Sequence, residues 1–233
     1  MTRKSGFTLV ELIVVIAIVG ALSALAVSAA AHARSESQAA QCISNLRQWG
    51  VALNLYCADN DGYTPRRGQG VQAVWEINRP TDWFNALPPY LGMATFNNLV
   101  QQGQEPKPGS NSLFVCPAAV SGTIGQYFLC YGMNMYLSPW IRPQPHMLQQ
   151  LPNPRQLAFM SDAPGGWAST IPSSQAYSVV ARHEGRANVV FVDGHAQSFD
   201  GTYLGCGIGE PKPELSDCRW QTLSEGTNQT PLP

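Results

Sequence analysis

The sequence predicts an α+β protein, with a long amino-terminal α-helix packed on an antiparallel β-sheet head with long loops. Three observations lead there. Residues 12–31 carry no charge, apolar residues recur every three or four positions through Cys57, and two β-rich runs flank Asp193-Gly194. They divide the 233 residues into a short basic start at 1–6, an apolar helix at 7–33, its amphipathic continuation at 34–57, a β-rich head at 58–209 and a proline-containing tail at 210–233.

The apolar run reads LIVVIAIVGALSALAVSAAA. Twenty residues at 1.5 Å rise span about 30 Å, the thickness of a bilayer's hydrocarbon core. Arg3 and Lys4 precede the run and the next charge is Arg34, so positive charge sits on its amino-terminal side. By the positive-inside rule the amino terminus stays in the cytoplasm and the head lies outside. A secretory signal peptide shares the basic start and apolar core, and Ala29-Ala30-Ala31 would offer it a small-residue cleavage site. Two details argue against it. Glu11 opens the apolar run, where a carboxylate carries an insertion cost, and the run exceeds the usual signal core.

Beyond the membrane half, Ala39, Ile43, Leu46, Gly50, Leu53 and Cys57 follow at spacings of four, three, four, three and four. That is one apolar stripe, with Gln41, Asn45, Arg47, Gln48 and Asn54 on the polar side. A helix from residue 7 to 57 would be on the order of 75 Å long. Asp59-Asn60-Asp61-Gly62 then ends it, as Asn/Asp and Gly clusters do. Asp59 and Asp61 also resemble the start of a calcium loop, but the fifth and twelfth positions of that pattern fall on Tyr63 and Gly70. A structural turn is the favoured reading.

In the head, residues 112–117, 127–136, 157–162 and 177–182 read as short strands between Gly, Pro and Ser. The clearest pair is Asn188-Val189-Val190-Phe191-Val192 and residues 195–199, joined by Asp193-Gly194. Asp-Gly there predicts a hairpin with a type I′ turn. Residues 105–108 and 142–154 are proline-containing loops, and the tail has little apolar content after Trp220, which predicts poor order.

Composition excludes more than it names. Charged residues are 12% of the chain, about half of ordinary usage. With 15 acids against 14 bases there is no basic field for nucleic acid. Hydrophobic residues at 44% exclude wholesale disorder. No Gly-x-Ser-x-Gly, P-loop or dinucleotide-binding glycine motif occurs, and no CxxC pair suggests a zinc site, so neither an enzymatic activity nor a cofactor is expected. Six Trp and eight Tyr could build a sugar-binding surface, yet their scatter favours core and loop packing.

Lys4-Ser5-Gly6-Phe7-Thr8-Leu9-Val10-Glu11 with its apolar tail resembles the cleavage and methylation motif of type IV prepilins and type II secretion pseudopilins. The resemblance implies a ladle-shaped subunit, cut between Gly6 and Phe7 by a membrane-embedded prepilin peptidase that then methylates the Phe7 amine. The membrane helix would stay in the 227-residue mature chain, whose formal charge falls from −1 to −3 with the loss of Arg3 and Lys4. It also implies that Glu11 pairs with the amine of a neighbouring subunit, which fits a carboxylate needing a partner in lipid. The partners implied are the peptidase, other pilin or pseudopilin subunits and the cytoplasmic membrane.

A second resemblance lies in the head. His183, nine residues, then Asp193-Gly194 is similar to a marker of prepilin-like proteins from planctomycetes and verrucomicrobia. Cys42-Ile43-Ser44-Asn45-Leu46-Arg47-Gln48, Phe114-Val115-Cys116-Pro117 and Tyr131-Gly132-Met133-Asn134 fit the same set. The marker's role is open among fold-stabilising hydrogen bonds, metal or ligand binding, and catalysis. His183 and His195 are the candidate metal ligands, and a hairpin could bring them together. The cysteines suit an oxidising compartment. Cys42 and Cys57 on one helix are about 22 Å apart, far beyond a disulfide's reach. The sequence-local pairings are Cys116 with Cys130 and Cys206 with Cys218, with Cys42 a buried small hydrophobe. Two functions follow: a fibre-forming structural subunit, or an exported carbohydrate- or metal-binding module, hydrolase included, that uses the helix for delivery.

Overall fold

A computed structural model describes residues 8–68, 77–119, 128–138, 146–165, 169–170, 178–206 and 215–220. The chain divides into two units, Met1–Ser37 and Gln38–Pro233. In the first, the described residues are the apolar part of helix α1, Leu9–Asp59, whose Leu12, Ile13, Val15, Ile16 and Ile18 side chains are largely exposed. An all-round apolar helix with no protein cover is suited to lipid or to a bundle of like helices, and α1 is long and apolar enough to cross a membrane.

The second unit is α+β, as the sequence predicts. It holds the carboxy-terminal part of α1, two short helices α2, Trp83–Ala86, and α3, Phe96–Gln101, and a five-stranded sheet. The strands are β1, Tyr131–Asn134; β2, Ala158–Asp162; β3, Ser169–Thr170; β4, Arg186–Phe191; and β5, Ala196–Asp200, followed by helix α4, Gly201–Leu204. Their spatial order is β3-β1-β2-β4-β5, antiparallel except for the β1–β3 pair. β1, β2 and most of β4 are buried throughout, because the sheet is covered on both faces. Met133, Met160 and Val190 join a core with Leu46, Trp49 and Leu53 of α1. Val189 and Phe191 turn the other way, onto Phe199, Leu204, Cys218 and Trp220.

Four expectations need correction. Residues 112–117 form buried turns rather than a strand, because their carbonyls are taken by helix side chains. Asn45 Nδ2 donates to Val115 O (3.3 Å), Trp49 Nε1 donates to Leu113 O (3.0 Å) and Gln38 Nε2 donates to Pro117 O (3.1 Å). Asn45, expected on the polar face, is therefore buried, while Ile43 is half-buried. Residues 178–182 form no strand; the rest of that expected strand, like part of 127–136, lies outside the described residues. The stretch from Trp83 to Gln101, to which the sequence reading assigns no element, holds α2, α3 and a 3₁₀ turn at Pro88–Leu91. Thr95 caps α3 by accepting from Asn98 N, and Trp83, Phe84 and Phe96 fill the core around Trp49 and Phe114.

The tail is the fourth. Cys218 and Trp220 are buried, and Ala158 N donates to Arg219 O (2.7 Å) while Arg219 N donates to Gln156 O (2.6 Å). The Asn134 amide donates to both Ala158 O and Trp220 O at 2.8 Å. One large ring against an exposed sheet face is enough to dock this segment. Residues 210–214 and 221–233 lie outside the described residues.

The turn after Asp59 is structural in geometry. Gly62 N donates to Cys57 O (2.8 Å), and Asp61 and Gly62 adopt φ of 52° and 80°, a helix C-terminus closed in the left-handed region. The helix docks where it has no side chain. A Cβ on Gly50 would stand 2.9 Å from both Gly194 Cα and Val190 Cγ2. Gly50→Ala is therefore expected to destabilise the head by about 1–3 kcal/mol through overpacking, read as a lower denaturant midpoint. Gly20→Ala, with nothing within 4 Å, should leave that midpoint unchanged.

Candidate functional site

The marker residues are set by two hairpins at opposite ends of β4. His183 and Arg186 exchange both backbone bonds, His183 N to Arg186 O at 3.1 Å and Arg186 N to His183 O at 2.9 Å. Glu184 and Gly185 between them have φ of 52° and 82°, the two positive values of a type I′ turn. This hairpin was not legible in the sequence, since Glu is an uncommon residue in the left-handed region. The Asp193-Gly194 hairpin forms as expected, but its turn differs. Gly194 N donates to Phe191 O and Phe191 N to His195 O, both at 2.9 Å, and positive φ occurs at Gly194 alone (91°). That is a three-residue loop with Gly in the left-handed position, not a type I′ turn.

His183 and His195 are thus not brought together, for the six residues of β4 stand between their turns. His195 stacks on Phe191 (4.3 Å between centroids), and its Nδ1 lies 2.5 Å from Asp193 Oδ1, which also accepts from His195 N at 3.1 Å. Gly194 lies against Gly50 of α1, and Asn54 Nδ2 bridges Gly50 O (2.9 Å) and Val192 O (3.5 Å). Asp59 and Asp61 join no cluster of three His, Cys or carboxylate groups among the described residues.

His183 enters the core instead. Its Nε2 lies 3.5 Å from Cys116 Sγ and 3.6 Å from Asp162 Oδ2. Burial pushes His183 down to about 4, helped by the Arg182 charge, so the ring is neutral at pH 7. Despite the short distance, His183 and Asp162 are therefore not an ion pair at that pH. Asp162 is fully buried, and desolvation pushes it up to about 6 against the opposing pull of Arg182 and of hydrogen bonds from Asn188. Its Oδ2 accepts from Asn188 N at 2.8 Å, whereas Oδ1 has no hydrogen-bond partner. Arg182 supplies the compensating cation, tethered by a bond from Nη2 to Ala163 O.

The cysteine pairing also differs from expectation. Cys42 of α1 bonds Cys116 across 74 positions, with Cα atoms 5.2 Å apart, while Cys57, Cys130, Cys206 and Cys218 are free thiols. The sequence-local pairs Cys116–Cys130 and Cys206–Cys218 do not form, because the loop carrying Cys116 is pulled onto the helix by Asn45 and Trp49. Burial pushes Cys57 and Cys218 up to about 12 and Cys206 to about 11, so these thiols are weak nucleophiles.

At the start of α1, Thr8 and Glu11 form a capping box. Thr8 N and Oγ1 donate to Glu11 Oε2 at 2.8 and 2.7 Å, and Glu11 N donates to Thr8 Oγ1 at 3.3 Å. The Thr-x-x-Glu spacing carries that signal in the sequence, where Glu11 is assigned to assembly alone. Gly6 and Phe7 lie outside the described residues.

Residues 1–27 match the Prokaryotic N-terminal methylation motif. The type II secretion system core protein G of Aeromonas hydrophila is 37% identical over 79 residues, covering 34% of this chain and 53% of that protein. The same protein of Klebsiella pneumoniae is 38% identical over 74 residues (32% and 52%), and that of Pseudomonas aeruginosa 33% identical over 79 residues (34% and 54%). This chain is similar to core protein G over about a third of its own length. The match spans about half the length of these relatives, and no solved structure matches. Helix α1 carries part of the matched motif and, eight positions apart, Cys42 and Gly50, which hold its carboxy-terminal half to the Cys116 loop and the Gly194 turn.

The buried pair sets opposed pH dependences. Asp162, raised from 3.8 to about 6, keeps its proton in the folded chain after the unfolded chain has lost it. Its contribution therefore favours folding as pH falls from 6 towards 4. His183, lowered from 6.5 to about 4, stays neutral in the fold while the unfolded ring charges, so its contribution is lost over that window. Each is worth up to about 1.4 kcal/mol per pH unit, and the two largely cancel. Asp162→Asn is expected to lose stability more steeply than the parent between pH 6.5 and 4.5, and His183→Gln less steeply. Urea midpoints against pH for the three proteins decide it, and parallel curves would refute the pairing.

Proposed function

We propose that the chain is a structural subunit of a type II secretion pseudopilus or a related type IV pilus-like fibre. The observation that carries this is the methylation motif at residues 1–27, joined in one chain to similarity with core protein G of three secretion systems. In this reading the prepilin peptidase removes residues 1–6, cutting between Gly6 and Phe7, and methylates the Phe7 amine. The apolar part of α1 then anchors the mature chain in the cytoplasmic membrane, with the head in the periplasm. Subunits leave the bilayer one by one as neighbouring helices replace lipid around residues such as Leu12, Val15 and Ile16, which the chain itself leaves uncovered.

Glu11 sets the axial register by pairing with the Phe7 amine of a neighbouring subunit. Its Oε2 is held by Thr8, and a hydrogen-bonded rotamer presents the carboxylate at low entropic cost. The role is mechanical rather than enzymatic. A rival exported sugar-binding module gains nothing from the described tryptophans, because Trp49, Trp83 and Trp220 are all fully buried in the core.

The test is intact mass and amino-terminal sequencing of protein extracted from its native membrane. The expected chain has 227 residues and begins at N-methylated Phe7. Glu11→Gln is expected to be cleaved normally yet fail to form fibres or inter-subunit crosslinks. A chain still starting at Met1, or one starting near His32, would sink the proposal.

A further inference from the structure

The buried cluster behind the helix has the composition and spacing of a metal centre. Sγ of Cys42, Sγ of Cys116 and Nε2 of His183 all lie within 4.8 Å of one another, and all three residues are buried. Asp162 Oδ2 is 3.6 Å from the same Nε2, and Cys116 Sγ is 3.5 Å from it. Ligands held tetrahedrally at zinc distances stand about 3.3–3.8 Å from one another. The His183–Cys116 and His183–Asp162 edges fall in that range, the sulfur–sulfur edge is closed by the disulfide, and Asp162, outside the three-residue group, must approach the sulfurs as the disulfide opens. We propose that, with this disulfide reduced, Cys42, Cys116, His183 and Asp162 bind one zinc-class divalent cation, which then fixes α1 to the head in place of the disulfide.

Chemistry and charge favour the assignment. Two thiolates and an imidazole are a zinc donor set, and a carboxylate oxygen completes four ligands. Two thiolates, one carboxylate and a divalent cation leave a net charge of −1, and the adjacent Arg182 guanidinium neutralises it inside the core. Asp162 Oδ2 is aimed by its bond from Asn188 N, as the outer shell of a metal site requires.

The two states exclude each other, because the disulfide uses both sulfurs. Going from one to the other takes two electrons, either from a dithiol, which becomes a disulfide and hands its two hydrogens to the sulfurs, or from a phosphine, which takes its oxide oxygen from water while the water's two protons go to the sulfurs. The two thiols formed then lose two protons as the cation binds. The metal state thus belongs to the reduced chain, such as the nascent protein before export, and the disulfide to the oxidised one.

The experiment is a cobalt(II) titration of the full-length protein in detergent, reduced with a phosphine, with far-UV circular dichroism alongside. The expected result is one equivalent of cobalt per chain, showing thiolate charge-transfer and tetrahedral d–d absorption, displaced by zinc and absent from the oxidised protein. His183→Ala and Asp162→Asn should each weaken binding about tenfold or more, while Cys130→Ser, altering a nearby buried thiol, should not. If the reduced chain is unfolded without metal, refolding on addition of zinc supports the proposal, and a chain that stays unfolded overturns it. A folded, reduced chain that takes up no equivalent of cobalt also overturns it, as does uptake undiminished in His183→Ala. Binding lost in Cys130→Ser but kept in Asp162→Asn would overturn the assignment of the fourth ligand.

Discussion

A Cβ on Gly50 would reach within 2.9 Å of the Gly194 backbone, so α1 and the β4–β5 turn meet only because that helix position has no side chain. Gly194 is required for a different reason, its φ of 91°, which closes the three-residue turn. Once helix and turn are this close, Val190 faces the helix and, by strand alternation, Val189 and Phe191 must face away. The second core follows from that geometry, and with it the need for Trp220 to return and cover the far side of the sheet. The docking of α1 thus decides which side of each strand meets which core.

Eight residues before Gly50 the same helix is held covalently, through Cys42 and Cys116. Between these two points Asn45 and Trp49 donate to main-chain carbonyls of the loop that carries Cys116. Polar side chains on a buried helix face pull an otherwise irregular segment into place, and the carbonyls of that segment are thereby satisfied without a strand partner. Behind the disulfide, His183, Asp162 and Arg182 place ionisable groups in the core, where one carboxylate is balanced by one guanidinium and the imidazole stays neutral. A cluster with this charge arrangement is costly to bury, and it lies beside the disulfide that attaches α1.

His183 and Asp193-Gly194 both stand where α1 is attached. His183 stands against the disulfide at one end of β4, and Asp193-Gly194 meets Gly50 and Asn54 at the other. Nine intervening residues are what a two-residue turn, a six-residue strand and the start of the next turn occupy. The spacing is therefore a measure of β4 against the helix, and it keeps the two histidines apart.

The sequence by itself determined the long helix, its apolar half, the end at Asp59-Gly62, the methylation motif and the Asp193-Gly194 hairpin. Each is written in local periodicity or turn chemistry, which need no distant partner. It also excluded a Cys42–Cys57 bond, since helical rise alone keeps those residues apart. Only the tertiary structure decided the Cys42–Cys116 pairing, the burial of Asn45, the turns at residues 112–117, the docking of Trp220 and the entry of His183 into the core. The contacts that fix them join positions between 64 and 86 residues apart. No local signal carries them, because they are set by which loop reaches the helix once α1 and the sheet have packed.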